Sequence, residues 1–491
     1  MKILLVYPQY PDTFWSFKHA LKIAAEKAAF PPLGLLTVAA MLPGEWEKKL
    51  VDMNVNLLTE KDINWADYVF ISAMVVQKDS AKEVIARCNK HDVKVVVGGP
   101  LFTSRYEKFD GVSHFVLGEA EVTLPPFLED LSKECARHIY SSKRRPDIDQ
   151  TPRPLWELVN MKNYSRMSIQ YSRGCPFNCE FCDIVILNGR KPRTKDKGQI
   201  LRELEVLYRF GWRGSVFIVD DNFIGNKKKL KVDILPAMIS WSKARKYPFE
   251  FSTEASINLA DDDQLMHQMV EAGFNSVFIG IETPSAASLS ECNKLQNKNR
   301  DLIASVKKLQ NSGMEVQGGF IVGFDNDPLS IFKDQISFIQ KSGIVTAMVG
   351  LLNAPRGTRL YQRLQKENRL LKDSTGDNTD SSINFIPKME YETLIDGYKN
   401  VVGTIYSPKQ YYQRIRTFLK EYKPRRKGVS QVHSRHLWPF IKSIWLLGIK
   451  EEGRLHYWKF FILTLLKHSE SFVLSMNLAV YGFHFRKVAA K

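Results

Sequence analysis

Cysteine is scarce in this chain, six in 491 residues, and the scarcity excludes a disulfide-built scaffold, which crowds its cysteines into a short secreted chain. The opening MKILLVYPQY carries a lysine and no signal-peptide pattern. A reducing cytoplasm with free thiols is the expected setting. Long apolar runs are missing too: none reaches the ~18 residues needed to cross a bilayer, and the longest uncharged C-terminal stretch, 471–485, falls short. The chain is expected to be soluble or peripheral. Histidine is absent between His138 and His267, and the motif Asp-x-His-x-x-Gly is absent altogether, since His19, His91, His114 and His138 stand in other contexts.

Core material, by contrast, is ample. Hydrophobic residues make up 44% and charged residues 25%, as in an ordinary globular protein, and the length predicts about three domains at ~150 residues each. The net charge of +17 sits mainly at one end: Lys409 to Lys491 hold 17 Lys or Arg against 4 Asp or Glu, a balance of +13, which leaves +4 for the first 408 residues. The basicity belongs to the tail.

Three of the cysteines are grouped. Cys175, Cys179 and Cys182 stand in YSRGCPFNCEFCDI (171–184), while Cys88, Cys135 and Cys292 are each alone. A structural zinc takes four protein ligands, and a four-thiolate cluster is likewise closed. Three thiolates leave one position open, which is where a substrate enters a catalytic centre. A distant histidine completing a zinc site is the competing reading. The spacing C-x3-C-x2-C, preceded by Arg-Gly and containing Pro176 and Phe181, resembles the cluster loop of the radical S-adenosylmethionine enzymes. The resemblance implies that the three cysteines hold a 4Fe-4S cluster and that S-adenosylmethionine takes the fourth iron through its amino and carboxylate groups. One electron then cleaves the sulfonium to give a 5'-deoxyadenosyl radical. It further implies an electron donor such as a flavodoxin or ferredoxin, and it sets Phe181 beside S-adenosylmethionine.

Residues 1–140 alternate short apolar runs with helical stretches: KILLVYP, LGLLTVAAML, KKLVDMN, DYVFISAMVV, KEVIARCNK, KVVVGGP and HFVLGEAE. Buried runs of four to six residues separated by helices predict βαβ units and a doubly wound, Rossmann-like parallel sheet. Ligands of such sheets bind at the carboxyl ends of the strands, here Ser72-Ala73-Met74, Gly98-Gly99-Pro100 and Gly118-Glu119. A glycine there means either a tight turn or close approach of backbone to a ligand. FPPLGLLTVAAMLP and VVVGGP…HFVLGEAE resemble the cobalamin-binding domain that precedes the radical domain in one large class of these enzymes. That resemblance implies cobalamin contacts from Ser72, Met74, Gly98, Gly99, Pro100, Gly118 and Glu119. With no Asp-x-His-x-x-Gly, cobalt is expected to lack a histidine beneath it.

Residues 141–165 are polar, proline-bearing and aperiodic, which predicts a linker. In 166–374 strand-like MSIQYS, SVFIVDD, FEFSTEA, SVFIGIE, EVQGGFIVGF and TAMVGLL alternate with helical stretches. Six such repeats predict a partial (β/α)6 barrel with its site at the strand C-terminal ends. Asp220, Asp221 and Asn222 end the second of these strands, Glu254 the third and Glu282 the fourth. The family resemblance makes them S-adenosylmethionine contacts, in competition with helix capping or a solvated loop. GGFIVGFDND and LLNAPRGTRLY resemble the adenine-side segments.

Residues 375–491 open on DSTGDNTDSS and continue into basic, aromatic-rich and mainly helical sequence. The three-part layout resembles a subfamily that includes hopanoid methylases and tetraether ring-forming enzymes. It implies methylation of an unactivated carbon in a small-molecule, lipid-like or isoprenoid substrate. Radical cyclisation, rearrangement or carbon-carbon coupling is the enzymatic alternative, and a cobalamin sensor or an RNA-binding protein the alternative of another class. RNA binding would need stacking aromatics on a solvated basic face, so nucleic acid is the disfavoured partner. The mixture of Trp438, Trp445 and Trp458 with lysines and leucines predicts contact with a membrane surface, against a helical lid whose aromatics pack inward.

Overall fold

The computed structural model describes residues 1–424 and 437–490. Its first sheet joins Lys2–Tyr7 (β1), Glu47–Asp52 (β2), Tyr68–Ser72 (β3), Lys94–Gly98 (β4), His114–Val116 (β5) and Ile139–Tyr140 (β6). All pairs are parallel and the order is β2-β1-β3-β4-β5-β6. The apolar runs are continuous because both faces are covered. Leu4, Val6, Val69, Ile71, Val95 and Val97 pack on one side, and Ile3, Leu5, Phe70, Val96 and Val116 on the other. The order reverses at β1, so a doubly wound sheet opens its crevice between β1 and β3.

The second sheet is Met167–Ile169 (β7), then, past a short antiparallel hairpin of Ser172–Arg173 (β8) and Arg193–Thr194 (β9), Ser215–Ile218 (β10), Glu250–Glu254 (β11), Phe274–Glu282 (β12), Glu315–Val322 (β13) and Ala347–Leu351 (β14). Strands β7 and β10 to β14 are parallel neighbours in sequence order. That is the partial barrel expected from six strand-helix repeats. Val277, Ile279 and Ile281 of β12 join the helical core, so the alternate residues Phe278 and Gly280 turn to the interior.

The open side of the barrel is filled by the chain's own beginning. Ala28 bridges to Tyr164 just before β7, Phe30 packs on Phe217 of β10 at 5.4 Å, and Trp15 meets Phe278 at 5.4 Å and donates to Met348 Sδ of β14. Residues 13–30 thus leave the first domain and plug the second. The predicted linker is also ordered, with Trp156, Ile148 and Tyr164 fully buried. The C-terminal region is helical: Tyr391–Tyr406, Pro408–Glu421, Leu437–Trp445, Arg454–Lys467 and Phe472–Ala489. It caps the end of the barrel where strands begin, since Tyr406 Oη donates to Ala347 O and Arg414 donates to Val345 O. Among the described residues no helix is long and apolar enough to cross a membrane.

Candidate functional site

The cysteine loop lies between β8 and β9, on the edge where the barrel strands end. Its backbone is held from both sides. Asp220, fully buried, accepts from Tyr171 N–H at 2.8 Å and Ser172 Oγ at 2.6 Å, and burial pushes its carboxyl up to about 7. Asp221 accepts from Gly174 N–H at 2.7 Å and from Asn188. These two carboxylates therefore build the loop before they can serve a ligand. Asn222 points its amide N–H at Cys175 Sγ, 3.9 Å away, and Gln296 does the same to Cys179 Sγ at 3.8 Å.

The other side of the loop is gripped by residues that the sequence pattern did not single out. Glu180 receives a bidentate pair from Arg363 at 2.9 and 3.1 Å, and Arg363 also donates to Asp325 at 2.8 Å. Glu180 N–H donates to Cys292 O, and Asn293 donates to Asn178 O. Cys292 is itself inert: burial, then Glu282 and Cys179, push its thiol up to about 12. Phe181 is half-buried and faces Phe324 at 6.2 Å.

Inside the mouth stand two carboxylates of opposite fortune. Glu282, at φ +65°, forms a 2.6 Å ion pair with Lys294, and a side chain at Gly280 would collide with that pair. Although burial works against its charge, Glu282 and then Cys179 hold the Lys294 ammonium above its usual range. The Glu254 side chain has no hydrogen bond or ion pair among the described residues. Burial, followed by the charges of Asp221 and Asp220, pushes its carboxyl up to about 8. A neutral acid with free lone pairs and a proton faces the mouth.

In the first domain Ser72, Gly98, Gly99 and Gly118 come together around an apolar slot of about 50 Å³, walled by Leu35, Val38, Phe70, Val96 and Leu124. Gly99, at φ +88°, leaves no room for a side chain beside Ser72 Oγ. Met74 and Pro100 lie outside the slot: Met74 is exposed and Pro100 begins the helix Pro100–Arg105. Glu119 turns away from it and accepts from Arg173 at 2.8 Å and, bidentately at 2.8 and 2.8 Å, from Arg193. Glu121 pairs with Arg173 beside it. The edge of the slot and the hairpin flanking the cysteines are thus one ion-pair network. At the ends of β1 and β2, Tyr7 with Tyr10 and Asp52 with Tyr164 and Asn54 add a polar rim that the strand-end glycines gave no hint of.

A cubane spreads its thiolates around its corners, and a loop carrying three thiols, two of them met by amide N–H groups, fits such a group. All three thiols feel Lys294.

Family comparisons agree with this anatomy. The B12 binding domain matches residues 23–128, the Radical SAM superfamily residues 169–339, and a domain of unknown function (DUF4070) residues 358–491. An uncharacterized methyltransferase of Synechocystis sp. is 42% identical over 99% of this chain and 91% of its own length. The hopanoid C-2 methylase of Rhodopseudomonas palustris is 34% identical over 100% and 94%. The chain belongs to the cobalamin-dependent radical S-adenosylmethionine methylases. In fold it is similar to the cobalamin-dependent S-adenosylmethionine radical enzyme OxsB, with TM-score 0.64, 16% identity, and 100% of this chain and 80% of that one covered. TsrM of Kitasatospora setae gives TM-score 0.63 at 14% identity over 100% of both chains. The cofactors of this methylase are accordingly a 4Fe-4S cluster, S-adenosylmethionine and cobalamin.

Proposed function

We propose that this methylase adds a methyl group to an unactivated carbon of a lipid-like, isoprenoid small molecule. The observation that carries the reading is the network of Glu119, Glu121, Arg173 and Arg193, which joins the slot for cobalamin to the loop for the cluster. The 34% identity to a hopanoid methylase across the whole chain supports the lipid-like substrate. When bound, the cluster supplies the electron that cleaves S-adenosylmethionine, and cobalamin carries the methyl group.

In this proposal Cys175, Cys179 and Cys182 hold the cluster, and the amides of Asn222 and Gln296 tune it through their N–H···S contacts. Lys294 keeps positive charge beside the thiolates. Glu254, neutral below about pH 8, donates to a carboxylate or hydroxyl in the mouth. Phe181 and Phe324 offer ring faces for an adenine. Ser72, Gly98, Gly99 and Gly118 line the apolar slot that would hold part of the cobalamin. A small acidic electron carrier, such as a flavodoxin or ferredoxin, suits the exposed Arg190 and Lys191, which follow the Gly189 carbonyl bonded to Cys175 N–H.

Product counting tests the reading. Anaerobic turnover with lipid extract of the native organism is expected to form S-adenosylhomocysteine and 5'-deoxyadenosine together, with a methyl-sized mass gain in one lipid. 5'-Deoxyadenosine alone would mean cyclisation or rearrangement, and neither product would mean a sensor.

A further inference from the structure

Exposed large apolar side chains are scattered over most of this chain but crowd into one short segment. Among the described residues, ten of the 23 lie between Trp438 and Val473. Trp438, Ile441, Trp445 and Ile449 recur at intervals of three and four and share one face of a helix. Leu455, Trp458, Ile462 and Leu466 do the same on the next helix, whose opposite face buries Tyr457, Phe460 and Thr464. The two helices are joined where Trp458 Nε1 donates to Gly448 O at 2.9 Å, so the two stripes adjoin. A solvated lid would turn such residues inward, as it does Tyr457 and Phe460.

Basic groups rim this face. Lys442, Lys450, Arg454, Lys459 and Lys467 are exposed on the same helices, and Lys450 sits 4.1 Å over the Trp445 ring. Of the two acids between the helices, Glu451 is turned back to Arg486 and Lys487, and Glu452 is exposed among the more numerous basic groups. An apolar stripe bearing tryptophans and ringed by lysine and arginine matches a headgroup region, where indoles favour the interface and cations meet anionic lipid.

We infer that the face formed by Trp438–Ile449 and Leu455–Leu466 docks the protein on the surface of a bilayer carrying anionic lipid. The face belongs to the helical region at the barrel end where strands begin, opposite the cysteine loop. Docking there anchors the protein and leaves the cluster side free for its reductant. The inference rests on the exposed stripes and stands apart from the methyl-transfer reading, so the two can fail separately.

The test is flotation of the intact, cofactor-loaded protein with vesicles of phosphatidylcholine alone or with phosphatidylglycerol. Binding is expected only with phosphatidylglycerol and is expected to weaken as salt rises. Trp438, Leu455 and Leu466 are 69%, 79% and 76% exposed, so the triple variant Trp438→Ser, Leu455→Ser, Leu466→Ser should fold. It should lose at least tenfold in vesicle partition while S-adenosylmethionine cleavage in detergent-free buffer stays unchanged. Wild-type protein that stays unbound at low salt would overturn the inference. So would equal binding by the variant, or a wild-type dimer in solution that the same variant splits.

Discussion

Replacing Glu119 with glutamine probes the link between the two cofactor domains. Four side chains form the buried centre of the link, each at most 14% exposed: Arg173, Arg193, Glu119 and Glu121, and Arg145 approaches Glu119 at 3.8 Å from the more exposed side. Stripping one partner from a buried pair costs about 3–5 kcal/mol when the other charge is left alone. The loss here is smaller, because Arg173 keeps Glu121, and Arg193 keeps the carbonyls of Pro146 and Asn188 at 2.7 and 3.0 Å. What disappears is the one carboxylate that Arg193 meets among the described residues, worth about 1.5–3 kcal/mol as charge-assisted hydrogen bonds. At about 1.4 kcal/mol per decade, local opening of the hairpin should become roughly 10- to 150-fold more frequent.

Hydrogen exchange on a peptide spanning 170–195 reads this directly, with 84–98 in the first domain as control. Glu121→Gln should do less than Glu119→Gln, since Arg173 then keeps Glu119. The double substitution should exceed the sum, because Arg173 loses both carboxylates and the sites are coupled. Unchanged protection of 170–195 in Glu119→Gln, or an equal loss in the control peptide, would refute the linkage.

Arg363→Met should leave Glu180 unpaired while Asp325 keeps Arg369, so reconstituted iron should fall sharply with little change in global melting. Arg363→Lys should not restore it, because lysine lacks the bidentate fork. Glu254 has a folded-state value of about 8 against about 4.3 in the unfolded chain. The folded protein therefore binds the extra proton, and its stability falls as pH rises from about 4.3 to 8. Glu254→Gln should flatten that slope in urea titrations at pH 5 and pH 8, and an undiminished slope would assign the proton elsewhere. Electron paramagnetic resonance of the cob(II) form should show no nitrogen splitting from a protein histidine, as the missing Asp-x-His-x-x-Gly implies.

Most strands of both sheets were legible because they are short apolar runs, a pattern confined to a few consecutive residues, whereas the two-residue edge strand β6 left no such run. The cysteine loop was legible for the same reason of locality. Roles of the strand-end carboxylates were not. Asp220 and Asp221 stand where a ligand would be met, yet their oxygens are occupied by Tyr171, Ser172 and Gly174, and composition at a strand end does not tell which N–H it faces. Arg363 and Glu180 are 183 residues apart, and Trp15 meets Met348 across 333. Contacts at such separation leave no periodic trace. Lys294 had no signal either, since a single lysine after a helix is normally a solvated one.

In the proposed reaction one substrate carbon must be reached both from the S-adenosylmethionine side and from the cobalamin side, which calls for rigid supports and not for loops that close by chance. Three tethers meet that demand from different directions. Glu119 and Glu121 bind the hairpin that flanks the cysteine loop. Glu107 pairs with Arg356 beyond β14, and Lys108 with Asp373. Gly376, at φ +78°, lies so close to Val75 that any side chain would push the two apart. The polar stretch after 374 reads in sequence as the start of another domain, but Gly350 packs beneath Asn378 O and Tyr398 donates to Thr379 O. That stretch is therefore a strap across the joint, and its abundance of Asp, Ser, Thr and Gly serves turns that fit two surfaces at once. Widening the joint at Gly376 should lower methylated product per 5'-deoxyadenosine formed, because the strap meets Val75 of the first domain and Gly350 of the second, and an unchanged product ratio in Gly376→Val would refute the role of the strap.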